Sequence, residues 1–305
     1  MRLSRGVSLP IIMVSLLVLL LTTSCGSVDR VVVFPDLNLE TAIRRAIEKP
    51  IGDIYESDLK DLTALYDEAG GIIDLTGLEY CTSLTVLYLW RNPISDISPV
   101  ASLTSLTELD LQRNMISDIS PLSSLAMLTE LDLQKNQISD ITPLSNLTSL
   151  TGLNLGRNPI SDLTPLSNLT GLTWLHLDRT QITDLSPLSN LTSLTHLQLD
   201  RNQISDISPL SDLTNLTYLP LAYNDISDLT PLSKLTNLST LPLLHNQISD
   251  ISPLVENQGL GEGDTLDLRD NPLSAISVDV YIPLLQQRGV NVIWDPAPTP
   301  TQHQS

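Results

Sequence analysis

The stretch from Leu106 to Met127 reads LTELDLQRNMISDISPLSSLAM, and copies with the same spacing fill most of the chain. Its most regular feature is an Asn that recurs every 22 residues, with Thr180 in its place in one copy. These residues are Asn92, Asn114, Asn136, Asn158, Asn202, Asn224 and Asn246, and the last copy, which is three residues longer, ends at Asn271. A fixed period of this length predicts a solenoid in which each copy contacts only its neighbours.

The apolar residues of this unit have a spacing that fits neither one long helix nor one long strand. They are Leu106, Leu109, Leu111, Ile116, Ile119, Leu122 and Leu125. The run LxxLxL predicts a short strand whose leucines point one way, while Glu108, Asp110 and Gln112 point the other way. Asn114 is predicted to turn the chain. Ser120, as an N-cap followed by Pro121, is predicted to open a short 3-10 turn.

This pattern resembles the leucine-rich repeat family, and its form ISDISPLSxLTxL is similar to the 22-residue class of bacterial internalins. The resemblance extends over roughly residues 62–294. It implies an α/β solenoid, a leucine-rich repeat horseshoe with a parallel β-sheet on the concave face, short 3-10 turns on the convex face and a helical N-terminal cap. It also implies that a partner binds at the concave face.

The N-terminus has the features of an export signal. Arg2 and Arg5 precede an uncharged apolar run at residues 9–21, which predicts a signal peptide over residues 1–24. Cys25 follows Ser24 as in the bacterial lipobox, although Thr22 stands where that motif prefers Leu. The resemblance implies a lipidated N-terminus and tether over residues 25–34, and an outward-facing membrane lipoprotein. Plain secretion and an uncleaved anchor are the alternatives.

The remaining boundaries follow where the repeat begins and ends. Residues 35–62 are predicted to form a helical cap whose helix has Asn38 as its N-cap, residues 63–271 the repeats, and residues 272–294 a C-terminal cap. In that second cap, residues 278–288 favour a helix that ends at Gly289, and residues 290–294 favour a strand. The Pro- and Thr-rich residues 295–305 are predicted to be disordered.

Three substitutions interrupt the repeat. Thr180 replaces an Asn and is expected to create a local weak point, because an amide both donates and accepts hydrogen bonds. Pro220 and Pro242 occupy the same strand position in consecutive copies, and each removes a backbone donor. The sheet is therefore expected to be irregular near those two strands.

The chain is acidic and almost free of cysteine. Its formal net charge is −19, or −21 once Arg2 and Arg5 leave with the signal, which argues against nucleic acid as a partner. Cys81 falls at a core position and is predicted to be a buried thiol. One acidic column is interpreted as turn-forming rather than as a calcium site: Asp96, Asp118, Asp140, Asp162, Asp184, Asp206, Asp228 and Asp250.

The concave face is where the copies differ from one another. Its aromatic and charged residues form the predicted ligand-binding surface: Tyr88, Trp90, Arg91, Asp110, Arg113, Asp132, Lys135, Arg157, Trp174, His176, Asp178, Arg179, His196, Asp200, Arg201 and Tyr218. Exposed aromatics beside arginine are typical of interface anchors. The cations among them form one column, for which solvated ion pairs are the alternative interpretation.

These features favour a non-enzymatic module that is displayed at a cell surface and binds a protein, or alternatively a glycan, through its concave face. No catalytic residues, cofactor or functional metal site are predicted, because the face offers no nucleophile, phosphate-binding loop or enclosed pocket. The competing hypothesis is a structural or envelope-assembly lipoprotein whose repeats serve as a spacer.

Overall fold

A computed structural model describes residues 29–295, and an N-terminal cap precedes the repeats. Strand β1 (Val31–Val32) pairs antiparallel with β2 (Ile54–Tyr55), helix α1 (Leu37–Ala46) lies between them in sequence, and helix α2 (Glu56–Leu59) follows. The signal peptide and Cys25 lie outside the described residues. No described helix is both long and apolar enough to cross a membrane.

The N-cap of helix α1 is Asp36, so the prediction of Asn38 was wrong. The Asp36 carboxylate accepts hydrogen bonds from the backbone N–H groups of Asn38 and Leu39. It also accepts one from Ile73 in the first coil of the solenoid. Asp36 therefore fastens the cap to the repeats, a long-range role that local sequence does not reveal.

Every coil except the one that contains Tyr218 contributes one short strand to a parallel ladder. The first seven strands are β3 (Ala64–Tyr66), β4 (Val86–Tyr88), β5 (Glu108–Asp110), β6 (Glu130–Asp132), β7 (Gly152–Asn154), β8 (Trp174–His176) and β9 (His196–Gln198). A second group contains β10 (Thr240–Pro242), β11 (Thr265–Asp267) and β12 (Asn291–Ile293). Within each group, equivalent residues of consecutive coils are paired, as the repeat predicts.

The sheet is interrupted between β9 and β10, where Pro220 stands. The backbone of Tyr218 pairs with the strands on either side through isolated bridges instead of a continuous ladder. Proline has no N–H to donate to the ladder, so Pro220 and Pro242 each remove one hydrogen bond to the preceding coil. The predicted irregularity is found on both sides of Tyr218, where pairing with β9 and with β10 is reduced to single bridges, although Pro242 itself lies within β10.

Short 3-10 turns form the opposite side of the coils. They span Leu78–Tyr80, Ser98–Ser102, Ser120–Ser124, Thr142–Leu144, Thr164–Leu166, Ser186–Leu188, Ser208–Leu210 and Thr230–Lys234, and helix α3 (Ser252–Glu256) takes this place in the next coil. The predicted N-cap role of Ser120 was wrong, because the turn begins at Ser120 and its cap residue, Ile119, makes no side-chain bond.

The acidic column caps these turns in place of serine. Asp118 accepts a hydrogen bond from the backbone N–H of Ser120 at 2.8 Å, and the other seven aspartates bond the residue two positions on in the same way. This contact is an Asx-turn. The structural interpretation of the column is therefore confirmed.

The core is a stack of leucine and isoleucine side chains that extends from the N-terminal cap to the last strand. In the central coils these side chains are at most 1 % exposed. Cys81 lies in this stack as a free thiol, as predicted, and burial raises its pKa to about 12. Because a coil alone exposes both flanks of its leucines, the core forms only when neighbouring coils stack.

A ladder of Asn side chains satisfies the buried backbone beside this core. Asn114 donates hydrogen bonds to the carbonyls of Leu111 in its own coil and Leu89 in the preceding coil. Its side-chain oxygen accepts a bond from the backbone N–H of Ile94. Each amide thus joins two coils through groups that would otherwise be unpaired and out of reach of water.

Thr180 makes fewer bonds than the Asn residues it replaces. Its hydroxyl donates within its own coil, to Leu177, and also lies 2.6 Å from the side-chain oxygen of Asn202. The N–H of Ile160, which an Asn at this position would bond, instead donates to the backbone carbonyl of Asn158. We expect Thr180→Asn to raise the free energy of unfolding by about 1 kcal/mol, the net value of one added hydrogen bond. Urea unfolding measures this change, and a variant no more stable than the wild type would contradict the expected weak point.

The C-terminal cap departs from the predicted single helix. A π-helical turn (Ser277–Tyr281) precedes helix α4 (Ile282–Gln287), and the last strand is β12 rather than the longer predicted segment. Pro283 lacks the N–H that would continue an α-helical pattern from the preceding turn. The helix ends before Gly289, whose φ of 93° is readily adopted only by glycine.

Candidate functional site

The predicted concave face corresponds to the outward side of the sheet, which we call the sheet face. Its outward positions form three columns: the first and third residues of each strand, and the residue two positions further on. Trp174 and His196 lie in the first column, Tyr88, Asp110, Asp132 and His176 in the second, and Trp90, Asp178 and Asp200 in the third. Tyr218 extends the first column.

The predicted cations form a fourth column at one edge of this face. They are Arg91, Arg113, Lys135, Arg157, Arg179 and Arg201, all exposed and all with φ between 54° and 61°. This left-handed backbone costs a non-glycine residue about 1–2 kcal/mol. The backbone alone would favour glycine or asparagine here, so the six cations are carried at a cost in stability.

Most of these cations have no carboxylate partner. Arg91 pairs with Glu68 at 3.2 Å and Arg157 with Asp178 at 3.5 Å, and these are the only ion pairs of the column within residues 29–295. Arg201 instead lies over the ring of Tyr223 at 4.0 Å. Solvated ion pairs therefore account for two of the six positions.

A cavity of about 260 Å³ lies on the sheet face over strands β4 to β6. Its lining consists of Tyr88, Glu108, Leu109, Asp110, Glu130, Leu131, Asp132 and Trp174, and we call it the Tyr88–Trp174 cavity. The two leucines belong to the core stack, the carboxylates lie on the adjacent strands β5 and β6, and the aromatic rings come from β4 and β8.

Gly152 allows Trp174 to reach this cavity from two strands away. A Cβ atom on Gly152 would lie 2.1 Å from a ring carbon of Trp174 and 2.1 Å from a carboxylate oxygen of Glu130. The indole therefore occupies the space above β7 that any side chain at position 152 would fill. The missing side chain is thus what brings an aromatic ring beside the carboxylates of β6.

The carboxylates of the cavity are partly removed from water. Burial is the main cause that raises the pKa of Asp132 to about 6, and the nearby charge of Asp110 adds to the shift. Burial likewise raises the pKa of Asp110. The hydroxyl of Tyr88 donates a hydrogen bond to Glu108, which is the main reason that the Tyr88 pKa rises to about 12.

No cation of the described chain neutralises these four carboxylates. Within residues 29–295, Glu108, Asp110, Glu130 and Asp132 belong to none of the ion pairs. Their polar partners are Tyr88, the backbone of the strand ends, and neutral hydroxyl and amide groups. The cavity is therefore a concentrated negative charge between two aromatic walls.

The two histidines of the predicted site lie farther along the face, and each packs against an aromatic ring. His176 packs against Trp174 with ring centroids 5.2 Å apart, and His196 packs against Tyr218 at 5.8 Å. Burial lowers the pKa of His176, which favours its neutral form. The part of the chain that the structure covers contains no group of three His, Cys, Asp or Glu residues arranged to hold a metal ion.

A second cavity, of about 280 Å³, lies where the cationic column meets the third column. Its lining consists of Arg157, Asp178, Arg179, Gln198, Asp200, Arg201, Ala222 and Tyr223. Charges of both signs meet here, and Asp200 has a raised pKa, mainly because of burial. The cavity thus joins predicted site residues of three consecutive coils.

Sequence reasoning left two carboxylates of the Tyr88–Trp174 cavity out of the predicted site and missed the role of Gly152 beside it. Glu108 and Glu130 precede Asp110 and Asp132 by two residues, so strand alternation places them on the same face. That signal was present in the sequence. The contribution of Gly152 depends on the path of the Trp174 side chain, which the sequence does not specify.

Comparison with known proteins identifies the repeats. The family model described as Leucine Rich repeats (2 copies) matches residues 82–124, 127–168, 170–212 and 214–256. Two solved structures from Listeria monocytogenes str. 4b F2365 are similar to the chain. Internalin C2 shares 39 % identity over 69 % of this chain and 94 % of its own, with a TM-score of 0.67. An internalin, inlF, shares 31 % identity over 90 % of this chain and 95 % of its own, with a TM-score of 0.63.

A more distant similarity reaches a plant receptor. The ectodomain of the receptor kinase GASSHO1/SCHENGEN3 from Arabidopsis thaliana, solved in complex with CASPARIAN STRIP INTEGRITY FACTOR 2, shares 27 % identity over 65 % of this chain and 25 % of its own, with a TM-score of 0.57. No curated protein sequence matches the chain significantly. The repeat register, the parallel sheet and these matches together place the chain in the leucine-rich repeat family, with structural similarity to the Listeria internalins.

Proposed function

We propose that this chain is a non-enzymatic binding module that recognises a protein ligand through the sheet face. The observation that supports the proposal is the difference between the turn side and the sheet face of the solenoid. The turn side repeats one Asp-Ser/Thr-Pro pattern whose polar groups are bonded internally, whereas the sheet face presents different aromatic and charged side chains in each coil. Nothing in the backbone requires that diversity.

The relatives support the same use of the fold. The plant receptor ectodomain was solved in complex with CASPARIAN STRIP INTEGRITY FACTOR 2, and the chain is similar to internalins over most of its length. Partly buried aromatic residues beside arginine commonly dominate the binding energy of an interface. Trp90 is such a residue, because Cζ of Arg91 lies 6.0 Å from the centroid of its ring. We further propose that the chain acts at the cell surface, exported by residues 1–24 and held at the membrane by a lipid on Cys25.

Capture from surface extracts tests the proposal. The wild-type chain is expected to retain a specific protein, and Trp90→Ala/Trp174→Ala is expected to weaken that binding at least tenfold, since aromatic anchors contribute about 2 kcal/mol or more. Tyr80→Ala is the matched control, because Tyr80 is an exposed aromatic in the first 3-10 turn, away from the sheet face.

Circular dichroism first establishes that the variants fold, so that a loss of capture reports on binding. Equal capture by the double variant would place the binding site elsewhere on the chain. The absence of any captured protein would favour the spacer hypothesis, in which the diversity of the sheet face has no function.

A further inference from the structure

We propose that the Tyr88–Trp174 cavity binds a cationic side chain, Arg or Lys, of the protein ligand. This inference rests on the proposed function for the nature of the ligand, and it assigns the ligand's anchoring group. Three features of the cavity support this inference: its aromatic walls, its carboxylates without a cationic partner, and a volume that is larger than a metal ion needs.

The walls suit a large organic cation. A guanidinium or ammonium group is attracted to the face of an aromatic ring, and most strongly to tryptophan. Tyr88 and Trp174 stand at opposite ends of the cavity, and the Trp174 ring reaches its place only because Gly152 has no side chain. The side chains of Leu109 and Leu131 are buried in the core, so the floor between the rings is the backbone of β5 and β6. The two aromatic rings therefore supply the apolar surface for the methylene groups of an Arg or Lys side chain.

The carboxylates supply the complementary charge. Glu108 and Asp110 on one strand face Glu130 and Asp132 on the next, and no cation within the described range pairs with them. Neighbouring like charges on adjacent strands repel one another, so the unbound cavity is strained electrostatically. A guanidinium group in the cavity neutralises this charge and donates strong charge-assisted hydrogen bonds to the carboxylates.

A metal ion fits the same residues poorly. A small cation such as Ca²⁺ needs six to eight oxygen ligands at about 2.3–2.6 Å, which requires the carboxylates to converge on one point. No set of described acidic residues converges in this way. The carboxylates are instead spread over two strands around about 260 Å³, space that a side chain fills.

The charge of the whole chain favours the same partner. The formal net charge of the protein is −19, so it attracts a ligand whose surface is positively charged and steers the approach of that ligand. The cavity opens on that face, where Glu108, Asp110, Glu130 and Asp132 are all partly exposed. A ligand lying across the coils can therefore insert one cationic side chain without any change in the backbone of the repeats.

Titration with a minimal probe tests the cavity directly. The probe is Nα-acetyl-arginine methylamide, and the neutral control is the citrulline compound, which has nearly the same shape. Binding is followed through the indole N–H resonance of Trp174. We expect the arginine probe to shift this resonance saturably and the citrulline probe to bind at least tenfold more weakly, since hydrogen bonds to charged groups contribute about 1.5–3 kcal/mol.

Substitutions in the cavity locate the effect. Glu130→Gln/Asp132→Asn is expected to weaken the arginine probe by about tenfold or more. Asp140→Asn removes a charge from the turn side of the same coil and should leave binding unchanged. Gly152→Ala, a second variant, displaces both the Trp174 ring and the Glu130 carboxylate, and should weaken binding although it removes no charge.

The outcomes separate this inference from the proposed function. Equal affinity for arginine and citrulline, no binding of either, or unchanged binding by the cavity variants would overturn the assignment of the cavity. Capture of a protein that the cavity variants retain would overturn it too, while leaving the proposed function in place. Saturable arginine binding without any captured protein would support the cavity and count against the proposed function.

Discussion

Replacing Asn158 with alanine should lower the free energy of unfolding by about 3–5 kcal/mol, because the substitution leaves several buried backbone groups without partners. Asn158 is 2 % exposed. Its amide donates to the carbonyls of Leu133 and Leu155, and its side-chain oxygen accepts from the N–H of Ile138. Each buried polar group left unsatisfied costs about 1–3 kcal/mol.

The position of Asn158 makes this loss larger than that of an ordinary hydrogen bond. The oxygen also accepts a bond from the N–H of Asn136, so one side chain serves two backbone donors of the preceding coil. Water does not reach these groups to replace it. Because a solenoid is stable only through contacts between neighbouring coils, weakening one junction in the middle also weakens the coupling of its two halves.

Urea unfolding provides the measurement, and two variants give its scale. Asn237→Ala removes an exposed amide that bonds the carbonyl of Thr214, and should cost less than about 1 kcal/mol, because water replaces the bond. Asn158→Thr copies the natural exception at Thr180 and should lie between the two. A loss of less than about 1 kcal/mol for Asn158→Ala would show that the ladder contributes little.

The repeat explains why so much of the fold was predictable. Each coil has the same apolar spacing, and each Asn fixes the register of its turn, so an error in one coil is corrected by the others. The parallel sheet, the 3-10 turns and the buried Cys81 all follow from that register. Two departures occur where the repeat ends: Asp36 caps the first helix and also bonds a distant coil, and Pro283 divides the last helical segment.

The candidate site was predictable by position but not by contact. Strand alternation correctly placed Tyr88, Asp132 and Trp174 on the sheet face. It did not show that the Trp174 ring crosses β7 over Gly152 to stand beside the carboxylates of β6. A side chain that reaches across a neighbouring strand depends on what that strand leaves open. Such an arrangement appears only when three coils are considered together.

Several residues of the candidate site lower the stability of the fold, and this loss supports a functional interpretation. The six cations occupy left-handed backbone positions that glycine or asparagine would adopt more readily. Asp110 and Asp132 carry charges that are partly buried without a cation in the described chain. Proteins commonly accept such losses where binding needs them, and removing them typically raises stability while it impairs function.

Asp132 allows this cost to be measured as a function of pH. Its folded-state pKa of about 6 lies above the ordinary value of 3.8, chiefly because of burial. The native state therefore binds a proton more tightly than the unfolded chain between these two values. The penalty for the ionised group is fully present above pH 6, and it is relieved as the pH falls through 6 toward 3.8.

Asp132→Asn removes this titration, so the stability difference between wild type and variant should change with pH. Between pH 7.5 and pH 4.5 the wild type should gain about 2 kcal/mol relative to the variant, since one pKa unit corresponds to about 1.36 kcal/mol. The next coil already carries Asn154 at the equivalent position, so an amide fits the backbone there. The amide loses the hydrogen bond from Asn154, a constant cost that leaves the pH-dependent part unaffected.

Asp140→Asn separates this effect from the general loss of one negative charge. Asp140 lies on the turn side of the same coil, where hydrogen bonds with Thr142 lower its pKa, so its stabilising contribution is lost as the pH falls. The wild type should therefore lose stability relative to this variant on acidification, a slope opposite in sign to that for Asp132. If the stability difference had the same pH dependence for both variants, burial of the Asp132 charge would not be its cause. The proposal that the cavity binds a cation would then lose its energetic support.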